Sequence, residues 1–208
     1  MANCKTNDER ERTEELIRPI LRGRDIKRYG YEWAKLWLIN THNGVKGRIP
    51  RIRIEDYPAV KAHLDQYWDK IKDRADQGDT PYNLRNCAYL EDFIKPKIIY
   101  REIGFEMDAC IAPANWFINN KLYLITGNDI EYLLAFLNSK AFNKIILVSA
   151  NLTGGKGVDF MEKIQAPLDH NLMKAVVTTS DEGQIDTLFN DYYGLSEEEK
   201  QFLSGDLK

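Results

Sequence analysis

The sequence predicts an α+β fold: a mixed or antiparallel sheet with packed helices, followed by a C-terminal helical part. Three observations predict it. Short segments of β character recur between 34 and 126, separated by Gly, Pro and Asn. Amphipathic helical patterns lie between and after them, clearest over 57–77. The chain has 208 residues, 43% of them hydrophobic. That is enough for a sizeable core in one domain, or one domain with a small helical appendage.

Residues 1–12 are charged and lack apolar periodicity, and are expected to be a flexible N-terminus. Thr13-Glu14-Glu15 is expected to open a short helix through Leu16, Ile17, Ile20 and Leu21, ended by Gly23. Arg22, Arg24, Lys27 and Arg28 follow, set among Tyr29, Tyr31 and Trp33. Basic residues interleaved with aromatics suit phosphate contact and base stacking, and equally a loop that docks on another domain. Residues 34–40 alternate as a strand, with Leu36 and Leu38 on one face and Trp37 and Ile39 on the other. His42-Asn43-Gly44 reads as a turn. Residues 47–54 bring Arg48, Arg51 and Arg53 close together, with Arg51 and Arg53 on one face of a strand and Ile52 and Ile54 on the other. Over 57–77, Val60, Leu64, Tyr67, Trp68 and Ile71 predict one amphipathic helix, with Pro58 in its first turn and Gly78 at its end.

The stretch from Thr80 to Gly104 organises the rest. A polar loop carries Tyr82, Arg85, Asn86 and Tyr89 and leads into a β run, Lys97-Ile98-Ile99-Tyr100. A core strand holding a polar loop is one way to build a recognition surface. Further β segments are expected over 107–111, 116–118 and 122–126. Asn128 or Asp129 should cap a helix through Tyr132, Leu133, Phe136 and Leu137. Another should run through Phe142, Ile145, Ile146 and Ser149. A glycine loop spans 152–157, and 160–168 is extended toward its end because Pro167 blocks a helix. The tail is helical through Ile185, Leu188, Phe189 and Tyr192. A last helix starts at Ser196, with Glu199 completing a capping box. These elements suggest a domain over 13–168 with a helical extension over 169–208.

The formal net charge is −3, which argues against a general DNA-coating protein. Its distribution says more. Residues 16–54 hold ten Arg or Lys against two acids, whereas 180–200 hold seven acids against one Lys. A basic region of this size attracts polyanions. Three cysteines at wide spacing, Cys4, Cys87 and Cys110, suggest neither a disulfide framework nor a zinc site. The polar N-terminus does not read as a signal peptide, and the longest apolar run, 145–150, is too short to span a membrane. A cytoplasmic, membrane-free protein is the expectation.

Catalytic chemistry has little support in the sequence. His42, His63 and His170 are far apart and fall in no metal-binding pattern. Asp159, Glu162 and Lys163 make only a faint nuclease-like cluster. The loop Gly154-Gly155-Lys156-Gly157 lacks Walker spacing, though its amides and Lys156 suit a phosphate. Asp79-Thr80-Pro81-Tyr82 looks like the Asp/Asn-Pro-Pro-Tyr motif of amino-methyltransferases. It has Thr at the second position, and no glycine-rich strand-turn-helix precedes it. No catalytic and no metal-ligating residue is therefore assigned.

An ordered set of segments resembles a known family. These are 20–30 (ILRGRDIKRYG), the strand near Trp37, 57–74 (YPAVKAHLDQYWDKIKDR) and 80–89 (TPYNLRNCAY). They continue with 95–103 (KPKIIYREI), 132–140 (YLLAFLNSK), 162–168 (EKIQAPL) and the tail 186–199. Together they resemble the TaqI-type C-terminal specificity domain, the target-recognition module of type IIG restriction–modification enzymes and related adenine-specific DNA methyltransferases. The resemblance implies sequence-specific recognition of double-stranded DNA without catalysis. It implies methyltransferase and endonuclease domains of the same system as partners, and makes this chain a fragment or partial gene product. S-adenosylmethionine and Mg would belong to those absent domains, so no cofactor is expected here. Within that frame, Arg48, Arg51, Arg53, Tyr82, Asn83, Arg85, Asn86 and Lys156 are the candidate DNA contacts, because Arg suits guanine and Asn suits adenine. Arg22, Arg24, Lys27 and Arg28 are assigned to phosphate contact or to domain docking. The alternative is a protein-interaction module that docks a methyltransferase or nuclease and reads no DNA.

Overall fold

The computed structural model describes residues 4–104, 106–149, 152–153, 157–159 and 166–205. In chain order the elements are α1 (Asn7–Leu16), β1 (Ile17–Leu21), β2 (Ile26–Lys27), β3 (Gly30–Tyr31), β4 (Trp37–Ile39), α2 (Pro58–Asp65) and α3 (Trp68–Ile71). Then come β5 (Lys97–Arg101), β6 (Ile103–Gly104), β7 (Ala109–Ala112), β8 (Phe117–Ile118) and β9 (Leu122–Ile125). Last are α4 (Ile130–Asn138), α5 (Lys140–Ser149), β10 (Leu152–Thr153), β11 (Gly157–Asp159), α6 (His170–Thr178), α7 (Glu182–Tyr192) and α8 (Glu197–Ser204). The fold is α+β, built from small mixed or antiparallel sheets and helices. Its residues fall into two compact units: 1–20, 35–95 and 114–117 in the first, and 21–34, 96–113 and 118–208 in the second.

In the first unit, Thr6 caps α1 by accepting from the Glu9 amide at 3.1 Å. The helix therefore begins at Asn7, inside the stretch expected to be irregular. It stops at Leu16 instead of continuing to Leu21. Pro19 has no amide hydrogen and drives Arg18 toward extended geometry, so Ile17–Pro19 pairs with Trp37–Ile39 instead. Glu9 is buried, and its carboxylate accepts from the amides of Lys5 and Ala59, both at 2.8 Å. Those bonds hold its carboxyl below the usual range.

The helix expected over 57–77 is instead two. After α2 the backbone tightens into three-residue bonds, Gln66 to His63 and Tyr67 to Leu64, and α3 ends at Ile71. Trp68 then meets the Tyr82 ring, centroids 5.4 Å apart. The chain doubles back so that Gln77 bridges Leu84. The core here is Leu16, Ile54 and Val60, with Ile39, Ile52, Tyr57, Leu64 and Tyr82 packed against it.

In the second unit, the sheet order is β7–β5–β9. Ile99 lies opposite Cys110 on one side and Leu124 on the other. The predicted run Lys97–Tyr100 is its central strand, as four successive buried positions require. Ile98, Tyr100, Met107 and Ala109 share a core with Leu134, Phe136 and Leu137 of α4, Leu172 and Val176 of α6, and Ile185 and Phe189 of α7. Asn138, fully buried, acts as a one-residue strand: its amide accepts from Ala109 N at 3.0 Å and donates to Ala109 O at 2.9 Å. Asp129 precedes α4 with φ of 54°, and its side chain does not cap, contrary to expectation. Ser196 and Glu199 do form the predicted capping box. Asp169 caps α6, a helix the sequence reading did not separate from the rest of the tail. The two ends of the predicted glycine loop fall in the antiparallel pair β10–β11, with Leu152 opposite Val158 and Thr153 opposite Gly157. Lys156 and residues 160–165 lie outside the described residues. Among the described residues no helix is long and apolar enough to cross a membrane.

Candidate nucleic-acid interface

The first unit holds a cleft of about 640 Å³. Its floor is a tight turn made by residues 43–51, and its opposite wall comes from Asp79 and Asn86. Residues 47–54 were expected to be a strand. Pro50 removes an amide donor, and the chain instead closes on itself through reciprocal Val45–Ile49 bonds, 2.8 and 2.9 Å. Gly44 makes that closure feasible. Its φ is +75°, and a Cβ there would clash with Ile49 O and sit 2.7 Å from Arg51 N.

Asn43 joins the two walls. Its carbonyl accepts from the Asp79 amide at 2.8 Å, and its Nδ2 donates to Asp79 Oδ1 at 2.9 Å and Asn86 Oδ1 at 2.6 Å. Thr41 reinforces the joint, donating to Tyr82 O at 2.7 Å while its carbonyl accepts from Leu84 N at 2.9 Å. Arg74 reaches under the 80–86 loop and donates to Pro81 O and Asn83 O, both at 3.0 Å. The His42 ring accepts from Gly44 N at 3.2 Å, and partial burial pushes its pKa down.

Several candidate contacts meet here. Arg48, Arg51 and Asn86 all line the cleft. Arg51 pairs with Asp79 through one nitrogen at 3.3 Å, and both side chains remain largely exposed. Arg48 is paired with Glu91 and reaches the carbonyl of Ala88. Arg53 and Arg85 are exposed and lie outside the cleft lining. The cleft is rich in donors: Lys46, Arg48 and Arg51 face one acid, Asp79.

Two candidates have structural positions instead. Asn83 is 2% exposed. Its Nδ2 donates to Ile52 O at 2.9 Å, with longer approaches of 3.4 Å to Thr41 O and His42 O, and its Oδ1 accepts from Thr80 at 2.7 Å. It clamps the turn to the loop and presents nothing outward. Tyr82 is half-buried and packs against the core of the first unit, and its hydroxyl donates to Asp65 at 2.6 Å. The segment that resembled a methyltransferase motif is thus held by internal bonds. Asn43 and Lys46 were missed. The signal was there: the Asn-Gly pair was read only as a turn, and Lys46 sits inside the basic run next to Arg48.

The cations of 22–28 lie in the second unit. Arg22 donates through Nε and Nη2 to Asp25, which is 3% exposed, and Asp25 in turn accepts from the Arg22 amide. The guanidinium of Arg22 holds the Asp25 carboxyl below its usual range. Arg28 pairs with Glu182 at 3.1 Å, and Lys27 stands 3.8 Å from Glu32. Arg24 is exposed beside a second cleft with Arg101 and Lys121. Among the described residues no group of three or more His, Cys, Asp or Glu is arranged to hold a metal.

A family model described as the TaqI-like C-terminal specificity domain matches residues 18–156, two thirds of the chain. The chain belongs to that family. The matched stretch of this specificity domain contains the whole cleft, from Asn43 to Asn86. A solved structure of the Type IIL restriction-modification enzyme MmeI in complex with DNA is similar over 92% of this chain, with TM-score 0.58 and 12% identity. That likeness is one of fold. The chain spans about a third of the MmeI chain, 31% of it. Comparison with curated proteins gives no match.

Proposed function

We propose that this specificity domain reads duplex DNA sequence for a restriction–modification enzyme, with the 43–51 and 79–86 cleft as its base-reading face and no catalysis of its own. The observation that carries the reading is the convergence of Lys46, Arg48, Arg51, Asn43 and Asn86 on one cleft inside the family-matched stretch. Exposed Arg and amide side chains on a rigid frame suit base edges, and neighbouring exposed arginines suit phosphates. Arg53 and Arg85 are assigned to phosphate, as is Arg24 unless it serves to dock a neighbouring domain. The similarity to an enzyme solved with DNA supports the same reading. Recognition is assigned to residues 13–168, and α6 and α7 of the C-terminal part add Leu172, Val176, Ile185 and Phe189 to the core of the second unit. Methyltransferase and endonuclease domains, with S-adenosylmethionine and Mg, would come from the rest of such a system, in the cytoplasm.

Fluorescence anisotropy of the chain with labelled duplex DNA tests this. The reading expects binding that weakens steeply with salt and is reduced by Arg51→Ala and Arg85→Ala. Absence of binding at low salt, with salt-insensitive association to a methyltransferase part instead, would replace it with the protein-interaction reading.

A further inference from the structure

We infer that the cleft reads a guanine, taken by Arg51, and that Asp79 is the positioning residue that aims the Arg51 guanidinium. The inference rests on the reading of the cleft as DNA-binding and adds the base and the residue that selects it.

Some hydrogen-bonding edges of the cleft are already in use. Arg51 gives one terminal nitrogen, Nη1, to Asp79 Oδ2 at 3.3 Å. Its Nε and Nη2 edge, a planar two-donor fork, makes no hydrogen bond among the described residues, and Arg51 lines the cleft. Such a fork matches the N7 and O6 acceptors of guanine in the major groove. A flexible arginine on a surface would lose much of that advantage to side-chain entropy. Here its partner is itself fixed. Asp79 is held by Asn43 at two points, the backbone amide at 2.8 Å and Oδ1 at 2.9 Å, which leaves Oδ2 for the guanidinium. Both charged side chains are exposed, 43% and 59%, so the pair adds little to stability. Its consequence is orientation.

The second edge is Asn86. The same Asn43 Nδ2 donates to Asn86 Oδ1 at 2.6 Å. The Asn86 carbonyl is engaged, and its NH₂ group is left as a donor. An adenine pairs with an asparagine through one donor and one acceptor. The Asn86 oxygen keeps a second lone pair, but the bond from Asn43 competes for it, so the NH₂ group is what Asn86 offers most readily, and it suits an acceptor edge. Lys46 adds another donor to the same lining. The cleft therefore offers mostly donors, and guanine presents two acceptors and no donor in the major groove.

The test is selection from a randomised duplex pool with the wild-type chain, Arg51→Ala, Arg51→Lys, Asp79→Ala and Asp79→Glu. The wild-type motif is expected to contain a guanine whose preference falls on the order of tenfold to a hundredfold in Arg51→Ala, with other positions retained. Arg51→Lys keeps the charge and the salt-dependent binding but loses the fork, so it should lose the same preference. Asp79→Ala should blur that position alone while strengthening overall binding at low salt, because an acid leaves the cleft. Asp79→Glu should restore part of the preference, which a merely structural role would not predict. Replacing that guanine with 7-deazaguanine should weaken wild-type binding and leave Arg51→Ala unchanged. A guanine preference that survives Arg51→Ala, or a motif without guanine, overturns this inference and leaves the DNA-reading function standing. Binding without any enriched position overturns base reading and this inference together. No binding at low salt removes the proposed function itself.

Discussion

Removing the Asn83 side chain should destabilise the recognition frame without touching its surface. Asn83→Ala deletes four approaches, but they are not equal. Thr41 O also accepts from Leu84 N, and His42 O also accepts from Ile52 N, so both keep a partner. Ile52 O loses its 2.9 Å donor, and the Thr80 hydroxyl loses its 2.7 Å acceptor. A buried carbonyl left unpaired costs about 1–3 kcal/mol, and Thr80, half-buried, can turn toward water at a cost of about 0.5–1 kcal/mol. The sum is about 1.5–4 kcal/mol, a large share of the roughly 5–15 kcal/mol by which a domain is stable. Asn83→Asp should be worse, about 3–5 kcal/mol at neutral pH. It keeps the acceptor for Thr80 but turns a negative charge on three carbonyls in a site 2% exposed. Burial would raise the new carboxyl's pKa, so part of that loss should return on acidification. Urea unfolding of the three proteins measures this. Two findings would refute the clamp: Asn83→Ala within 0.5 kcal/mol of wild type (about the ordinary surface range), or Asn83→Asp no worse than Asn83→Ala. A change in base preference with unchanged stability would return Asn83 to the DNA face.

Other predictions concern buried charge, the turn and the phosphate grip. Lys97 is fully buried on the central strand, donates to Pro113 O at 3.0 Å, and burial pushes its pKa from 10.5 down to about 8. Between those values the unfolded chain binds more protons than the folded one, so stability should rise with pH across that window. At pH 7 the charged amine costs about 3 kcal/mol; Lys97→Met should recover part of that and abolish the rise, as followed by thermal unfolding at a series of pH values. Gly44→Ala should destabilise by about 2 kcal/mol or more, and anisotropy should show its DNA binding reduced. Arg53→Ala and Arg85→Ala should each weaken binding to all sequences alike and lower the salt slope by about 1, read from affinity against salt concentration.

Much of the second unit was legible because its signals are strong and local. The run Lys97–Tyr100 is apolar and β-rich, α4 and α5 show helical periodicity, and the Ser196–Glu199 capping box is a specific pattern. The first unit was harder because tertiary contacts override local pattern there. The apolar period over 57–77 is real, yet the chain breaks at Gln66 and Tyr67, where Trp68 turns to meet Tyr82. Arg51 and Arg53 alternate like strand residues, yet Pro50 and Gly44 make a turn. The cleft was half visible. Residue type and the basic run pointed to Arg48, Arg51 and Asn86. Nothing in the sequence distinguished Asn83, three residues before Asn86, as buried. Its burial is set by Ile52 and Thr41, some thirty to forty positions away.

The central claim is that DNA lies on the cleft of the first unit. Amide hydrogen exchange of the chain, free and with saturating duplex DNA, tests it most directly. The account predicts added protection concentrated over residues 43–53 and 79–86. Protection confined to 22–28 or to the C-terminal helices, with 43–53 unchanged, would contradict it.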